Sequence, residues 1–326
     1  MRTNSLVVAS ATASLLLSCT NTMNRPFPAS SSPTNPEAAA PSPLRAAGLR
    51  AITVAPVARR TGFATARHGA RIYYEVSGSG PAMVFVHGLG GNHAVWFQQV
   101  SQFAANHTVV VMSQRGFAPS GGTQDRYNVD LLVSDLTAVM DAAGVKRAVV
   151  IGQSMGGWTA LGMALQHPQR VDALVLADTV AGISNEAIAS HMKMVTESAA
   201  QLRNVPPPLG VHPALSAEFS LRRPDLACLY QMLSTFGSPP PGTIAAQLAA
   251  ARVAPSNLKQ MKVPTLFIVG SEDRLFPPPL IRQAAGYISG AQVAEIPQAG
   301  HSPYYEIPEA WYTVVADFMA ALESTP

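Results

Sequence analysis

Ser154 is the residue of this sequence best placed to act as a nucleophile. It lies in the pattern Gly-x-Ser-x-Gly at residues 152–156, directly after a β-branched run at 148–151. Such a run predicts a buried strand, and the residues after Gly157 have helical character. A serine on a sharp turn between a strand and a helix has its hydroxyl lifted clear of the sheet. The spacing therefore predicts a strained serine next to a helix N-terminus that would stabilise a developing oxyanion.

A serine hydroxyl becomes a good nucleophile when an imidazole takes its proton and a carboxylate holds the imidazole in the right tautomer. His301 is the favoured base, because it lies in Ala-Gly-His-Ser after the last predicted strand and before the final helix. Asp273, in the loop after the preceding strand, is the favoured acid. Asp178, at the end of an earlier strand, is the second choice and Glu272 the third. The sequence thus predicts a triad of Ser154, Asp273 and His301.

The oxyanion of such a reaction needs two backbone N–H donors. The residue after the nucleophile, Met155, is expected to give one. The glycine-rich segment 87–91, which reads His-Gly-Leu-Gly-Gly, follows a predicted strand and is expected to give the other from Leu89. His87 heads this segment, and we interpret it as a structural hydrogen-bonding residue rather than a base.

Strands and helices alternate along most of the chain from about residue 61. The predicted strands are 71–76, 82–86, 107–112, 147–151, 172–177, 264–269 and 291–296, and the clearest helices are 128–143 and 307–322. Alternation of this kind requires an α/β fold, with a mostly parallel sheet and helices on both faces.

Residues 183–258 break this alternation. They contain helix-like pieces separated by two runs of three prolines, and no strand pattern. We therefore predict a core of residues 61–182 and 259–326, with 183–258 inserted as a helical lid over the sheet's C-terminal edge. The apolar side chains expected to make this lid a hydrophobic cap are Met192, Met194, Met232, Leu233 and Phe236.

The N-terminal residues have a composition of their own. Residues 1–67 hold seven arginines against one glutamate, whereas the remaining 15 basic and 18 acidic residues give the rest a net charge of −3. The high isoelectric point therefore belongs to the tail and gives no argument for nucleic-acid binding. Residues 20–60 are rich in Pro, Ala and Ser, which predicts a disordered tether.

Residues 1–19 are predicted to be an export signal, with Arg2 before a modest apolar stretch that is too short to span a bilayer. The segment Leu-Leu-Ser-Cys ending at Cys19 resembles the lipobox of bacterial lipoproteins, which implies lipidation of that cysteine. A plain secretory signal or an unstructured tail is the alternative. Cys228 lies in a Leu-rich helical stretch and is expected to be structural.

Residues 62–323 resemble the α/β-hydrolase fold superfamily. The match rests on His87–Gly88, Gly-Gln-Ser-Met-Gly-Gly at 152–157, Gly270 with Asp273, and Gly300–His301. Two departures concern the region near the pocket: Gln153 stands where His is frequent, and Ser-Gln-Arg-Gly at 113–116 replaces a common Asp-containing turn. The resemblance implies a serine hydrolase, because dehalogenases and most epoxide hydrolases of this fold use Asp as nucleophile.

The predicted reaction is cleavage of a small hydrophobic ester or lactone through an acyl-enzyme, with no metal or organic cofactor. Two alternatives stay open: a C–C bond hydrolase or cofactor-free perhydrolase on the same triad, and a non-catalytic surface binding protein on a hydrolase scaffold. The expected location is the bacterial cell envelope as a lipoprotein, or otherwise the periplasm or the medium. Membrane contact is expected only through the lipid, and the sequence leaves the oligomeric state open.

Overall fold

The computed structural model describes residues 57–122, 127–202, 207–236 and 243–324. The predicted export signal at 1–19, the lipidation site Cys19 and nearly all of the predicted tether at 20–60 lie outside the described residues. The first strand begins at Arg59, so the last two residues of the predicted tether belong to the folded core. They are ordered there because Arg59 and Arg60 pair antiparallel with Ser77 and Val76 of the next strand.

Eight strands of the described chain form one sheet. They are β1 (Arg59–Thr65), β2 (Arg71–Ser77), β3 (Ala82–Val86), β4 (Thr108–Met112), β5 (Ala148–Gln153), β6 (Val171–Ala177), β7 (Thr265–Gly270) and β8 (Gln292–Ile296). The spatial order is β1-β2-β4-β3-β5-β6-β7-β8. Strand β2 is antiparallel to both of its neighbours, and all other pairs are parallel. The predicted mostly parallel α/β sheet is confirmed.

Helices cover both faces of this sheet. They are α1 (Phe97–Phe103), α2 (Val129–Ala142), α3 (Gly156–Gln166), α4 (Glu186–Leu202), α5 (Ala217–Arg222), α6 (Pro224–Leu233), α7 (Thr243–Ala250), α8 (Pro278–Ala285), α9 (Pro303–Glu306) and α10 (Pro308–Glu323). The predicted start of α2 is explained by Asn128, whose side chain accepts a hydrogen bond of 2.9 Å from the backbone N–H of Leu131. No helix of the described segments has the length and apolar character to cross a membrane.

The central strands are continuous apolar runs because both of their faces are buried. Successive side chains alternate between the two faces, so Val84 and Val86 join one hydrophobic cluster while Met83 and Phe85 join the other. Phe85 packs against Trp96, with ring centroids 5.1 Å apart. This burial on both sides holds the C-terminal ends of the strands rigid, and those ends carry the site described below.

The described part of residues 183–258 consists of helices and connecting loops, with one β-bridge. Ile183 and Val253 form an isolated parallel β-bridge that brings the two ends of the segment together. Helices α4 to α7 lie between these ends. The hydroxyl of Tyr305 donates to the carbonyl of Leu226 at 2.8 Å, and the amide of Asn92 donates to that of Leu233 at 3.1 Å. The insertion is therefore attached to the core at its base and along α6.

Candidate active site

Ser154 lies at the turn between β5 and α3, with φ at +49°, a left-handed conformation that is strained for a residue with a side chain. Its backbone N–H donates to the carbonyl of Ala177 on the adjacent strand at 2.9 Å. The turn has room only for glycine on either side. A Cβ on Gly152 would lie 2.4 Å from the carbonyl oxygen of Gly156, and one on Gly156 would lie 2.2 Å from that of Val86. The predicted sharp turn is present, and Ser154 remains partly exposed while its neighbours are buried.

The segment after β3 runs directly beside the serine. A Cβ on Gly88 would lie 2.9 Å from the Cβ of Ser154, so a larger residue there would displace the nucleophile's side chain. Among the described residues, neither Leu89 N–H nor Met155 N–H has a protein acceptor. These two groups, which the sequence suggested as oxyanion donors, are therefore available to a bound ligand.

His87 is occupied by its own loop. Its Nδ1–H donates to the carbonyl of Gly88 at 2.7 Å, and its Nε2 accepts the backbone N–H of Gln114 at 2.9 Å. Burial lowers the pKa of His87 to about 4, so the ring is neutral near pH 7. With both ring nitrogens bonded to backbone, His87 fixes the loop and is not available as a base.

His301 and Asp273 form a buried hydrogen bond. The loop after β8 carries His301 and the loop after β7 carries Asp273, and His301 Nδ1 lies 2.9 Å from Asp273 Oδ2. The other oxygen, Oδ1, accepts the backbone N–H groups of Leu275 and Phe276 at 2.8 and 2.9 Å. Because Nδ1 faces a carboxylate it carries the proton, which leaves Nε2 as the acceptor. The arrangement is that of a base oriented by an acid.

The base and the serine are connected through the residue before the serine. The side-chain amide of Gln153 donates to the carbonyl of His301 at 3.0 Å. In the described chain, Ser154 Oγ makes no hydrogen bond to His301, which is common before substrate is bound. Gln153, one of the two departures from the family pattern, thus joins the turn that carries Ser154 to the loop that carries His301.

Asp178 lies at the same place in the fold but has a different role. It is fully buried, and its Oδ1 accepts the backbone N–H of Gly270 at 3.0 Å. Within the described residues, Oδ2 has no hydrogen-bond partner. Burial raises the pKa of Asp178 well above its ordinary value, and the negative charge of Asp273 raises it further. Both effects favour the neutral form of Asp178, and Asp273 is the acid that contacts His301.

The remaining acid suggested by the sequence, Glu272, is exposed. A metal ion needs several ligand atoms close together. Such a group is formed by Asp178, Asp273 and His301, each of which offers one ligand atom within 4.8 Å of the others. The contacts of these atoms argue for proton chemistry instead, because His301 Nδ1 bonds Asp273 Oδ2 and Asp178 Oδ1 bonds a backbone N–H.

Two further residues near His301 were not expected from the sequence. Glu306 is buried and accepts backbone hydrogen bonds around His301, as detailed below. His212 belongs to the insertion, and burial, together with the smaller effect of nearby His301, lowers its pKa to about 4. Its Nδ1 accepts the N–H of Ala214 at 3.1 Å, so Nε2 carries the proton. Spacing along the chain gave no signal for either residue, since what brings His212 and Ser216 of the insertion towards the His301 loop is the tertiary fold.

The hydrophobic cap expected from five apolar residues of the insertion is wrong for three of them, whereas Met192 is partly buried and packs against the core. Met194, Met232 and Phe236 are 56%, 53% and 69% exposed, and they face solvent. Leu233 is buried in the hydrophobic cluster around Phe85, so it contributes to the core. Helical spacing identified an apolar character but could not tell which face of each helix would be covered.

Comparison with known proteins places this chain among hydrolases. A family model described as alpha/beta hydrolase fold matches residues 81–308. A putative carbamate hydrolase of Azorhizobium caulinodans is 26% identical over 270 residues, covering 78% of this chain and 98% of the relative. A thermophilic esterase from Thermogutta terrifontis is 26% identical with a TM-score of 0.67, covering 81% of this chain and 99% of that chain. An enol-lactonase from Burkholderia xenovorans is 25% identical with a TM-score of 0.66, covering 79% and 99%.

Proposed function

Because the chain belongs to the α/β-hydrolase fold family, we propose that it is a serine hydrolase that cleaves carboxylic esters or lactones. The observation that carries this proposal is the conjunction of a strained Ser154 on the turn after β5 with a buried His301–Asp273 hydrogen bond of 2.9 Å. Ser154 is the nucleophile, His301 the general base and Asp273 the residue that orients the imidazole. The esterase and the enol-lactonase support this substrate class by their likeness.

The reaction proceeds in two halves. Ser154 Oγ attacks the carbonyl carbon while His301 Nε2 takes the hydroxyl proton, and a tetrahedral oxyanion forms. His301 then gives that proton to the leaving alkoxide, which departs as the alcohol and leaves an acyl-Ser154. Water attacks the acyl carbon, with His301 again taking a proton, and the acid is released as Ser154 regains its hydrogen.

The oxyanion is held by the backbone N–H groups of Leu89 and Met155. Neither has an acceptor among the described residues, and Met155 lies at the N-terminus of α3, where the helix dipole favours negative charge. Loss of one such donor costs about 2.7–4 kcal/mol of transition-state stabilisation in a comparable site. The two backbone N–H groups without acceptors therefore support acyl transfer as the chemistry of the site.

We further infer that the helical insertion 183–258 acts as a lid. What supports this is the close approach of its backbone to the base: a Cβ on Gly300 would lie 2.6 Å from the N atom of Ser216. Export and lipidation at Cys19 remain predictions from the N-terminal sequence. So does the expectation that no metal or organic cofactor takes part.

The direct test is covalent labelling by a fluorophosphonate probe together with turnover. Ser154→Ala is expected to abolish labelling and lower kcat on a p-nitrophenyl ester by about 10³- to 10⁶-fold. Ser101→Ala, which changes an exposed serine on α1, is the matched control and is expected to behave as wild type. Equal absence of labelling in the wild type and in Ser154→Ala would favour a non-catalytic binding protein.

A substrate panel separates the ester or lactone hydrolase from the remaining alternatives. It contains p-nitrophenyl esters, a lactone, a carbamate and a vinylogous diketone, all assayed with the wild type and Ser154→Ala. Fastest Ser154-dependent turnover of an ester or the lactone is expected. Preference for the diketone would assign a C–C bond hydrolase, and preference for the carbamate would assign the activity named for the Azorhizobium relative. In a separate assay supplied with a carboxylate, hydrogen peroxide and a halide, Ser154-dependent halogenation would assign a perhydrolase.

A further inference from the structure

Glu306 is a buried carboxylate that the reaction above does not use. It ends the short helix α9, five residues after His301, and is 6% exposed. Burial raises the pKa of Glu306, while hydrogen bonds from backbone N–H groups oppose that shift. A buried carboxyl group is costly unless its oxygens are hydrogen-bonded. Both carboxylate oxygens of Glu306 accept hydrogen bonds from backbone N–H groups.

The hydrogen bonds of Glu306 surround the proposed base. Oε1 accepts the N–H of Gly300 at 3.0 Å and the N–H of Ser302 at 3.3 Å, which are the residues on either side of His301. Oε2 accepts the N–H of Ser216, in the insertion, at 2.9 Å. One carboxylate thus fixes the backbone before and after His301 and joins it to the insertion.

The peptide unit that follows His301 is held at both ends. Its carbonyl oxygen accepts the side-chain amide of Gln153, and its N–H, that of Ser302, donates to Glu306. Gln153 adjoins the nucleophile, so this peptide unit is fixed relative to the turn that carries Ser154. The orientation of the backbone at residue 301 sets where the imidazole points, and displacement by about 1 Å can cost about 100-fold in rate.

We propose that Glu306 is a positioning residue for His301. It holds the backbone on both sides of the base, so that the ring keeps its hydrogen bond to Asp273 while Nε2 faces the nucleophile. The catalytic consequence of this role rests on the proposed serine hydrolase function. The effect on the His301–Asp273 hydrogen bond does not, and can be measured separately.

The experiment compares Glu306→Gln with Glu309→Gln, a matched control at an exposed glutamate in the first turn of α10. A glutamine at 306 presents an amide NH₂ to N–H donors on one side, so it cannot accept from all three. We expect kcat on a p-nitrophenyl ester to fall about 10- to 100-fold with KM within about twofold. Glu306→Asp, which keeps the charge on a shorter side chain, is expected to be intermediate and covers failure of Glu306→Gln to fold.

The second readout is the low-field proton resonance of His301 Nδ1–H, assigned by its absence in His301→Gln. It is expected to shift or broaden in the folded Glu306 variants and to stay unchanged in Glu309→Gln. An unchanged resonance in a folded Glu306 variant overturns the proposal, even if its melting temperature or kcat falls. If the wild type neither turns over the substrate panel nor labels, the hydrolase assignment fails, and the resonance alone decides the role of Glu306.

Discussion

Strands β6 and β7 are neighbours in the sheet, and each is followed by a buried aspartate. Asp178 comes directly after β6, with φ at +51°, and its backbone N–H donates to the carbonyl of Ile268 on β7. Asp273 lies three residues beyond β7, in a turn closed by its own N–H to the carbonyl of Gly270. Two acids of the same type thus reach the same end of the sheet by different backbone routes.

Their hydrogen bonds separate their roles. Asp273 has two backbone N–H groups on Oδ1 and the His301 imidazole on Oδ2. Asp178 has one backbone N–H on Oδ1 and, within the described chain, no partner on Oδ2. Two carboxylates this close cannot easily both be ionised. The difference teaches that a position at a strand end is not enough: the acid that contacts His301 is the one with two backbone donors on its other oxygen.

The largest expected effect is a difference in kcat between the variants Asp273→Asn and Asp178→Asn. Asparagine at 273 cannot hold the Nδ1–H tautomer of His301, so kcat should fall by about 10³- to 10⁴-fold. Asparagine at 178 imitates a neutral acid, with its oxygen towards Gly270 N–H. We expect a loss below about tenfold, comparable to one hydrogen bond. Steady-state kinetics of the purified variants measure both.

The reverse ranking would assign Asp178 as the acid. A large loss in both variants would instead indicate that the two carboxyl groups act as a pair. Folding of each variant is checked by its melting temperature, because both side chains are buried.

Strands β6 and β7 show which parts of the fold and of the site could be predicted from the sequence. The strand–turn–helix pattern was enough to predict the turn at Ser154, and the loops after β7 and β8 were enough to predict the contact between Asp273 and His301. This works because parallel strands end on the same edge of a sheet. The choice between Asp178 and Asp273 was predicted in the direction that the geometry favours, but their hydrogen bonds could not be derived from spacing.

Other features depend on contacts that spacing does not encode. The hydrogen bond between Glu306 and Ser216 and the proximity of His212 to His301 arise only by tertiary folding, so no motif marks these residues. The pairing of β1 was missed because its sequence, Arg-Arg-Thr-Gly-Phe-Ala-Thr, lacks a clear alternation, and its hairpin with β2 orders it. The helices of the insertion were predicted, but not the exposure of Met194 and Met232, because helix periodicity alone does not say which face is covered.

A smaller effect is expected on the pH dependence of the free energy of unfolding, compared between wild type and Asp178→Asn. The pKa of Asp178 is raised in the folded state, so the folded protein binds a proton that the unfolded chain has released. The contribution of Asp178 to the free energy of unfolding must then fall as pH rises from its unfolded pKa, near 4, towards its folded pKa. Asp178→Asn does not titrate, so its free energy of unfolding relative to wild type should increase over that range.

Urea unfolding at a series of pH values from 4 to 8 measures this difference, with each unit of raised pKa worth about 1.4 kcal/mol at high pH. A constant difference between wild type and Asp178→Asn would mean that the two states bind this proton equally. A difference that shrinks with rising pH would mean that Asp178 is ionised and stabilised in the fold.

The smallest effect is expected at Glu272, the residue next to Asp273. Its side chain is exposed, while its backbone N–H donates to the carbonyl of Ala299 at 2.8 Å and supports the loop whatever the side chain is. Glu272→Gln should therefore change kcat/KM by no more than about twofold, as for a surface substitution of about 0.5 kcal/mol. The same ester assay measures it. A loss above tenfold would show that charge at this end of the sheet acts on His301 without a hydrogen bond, and the contrast between Asp178 and Asp273 would then need an electrostatic explanation in place of one based on backbone donors.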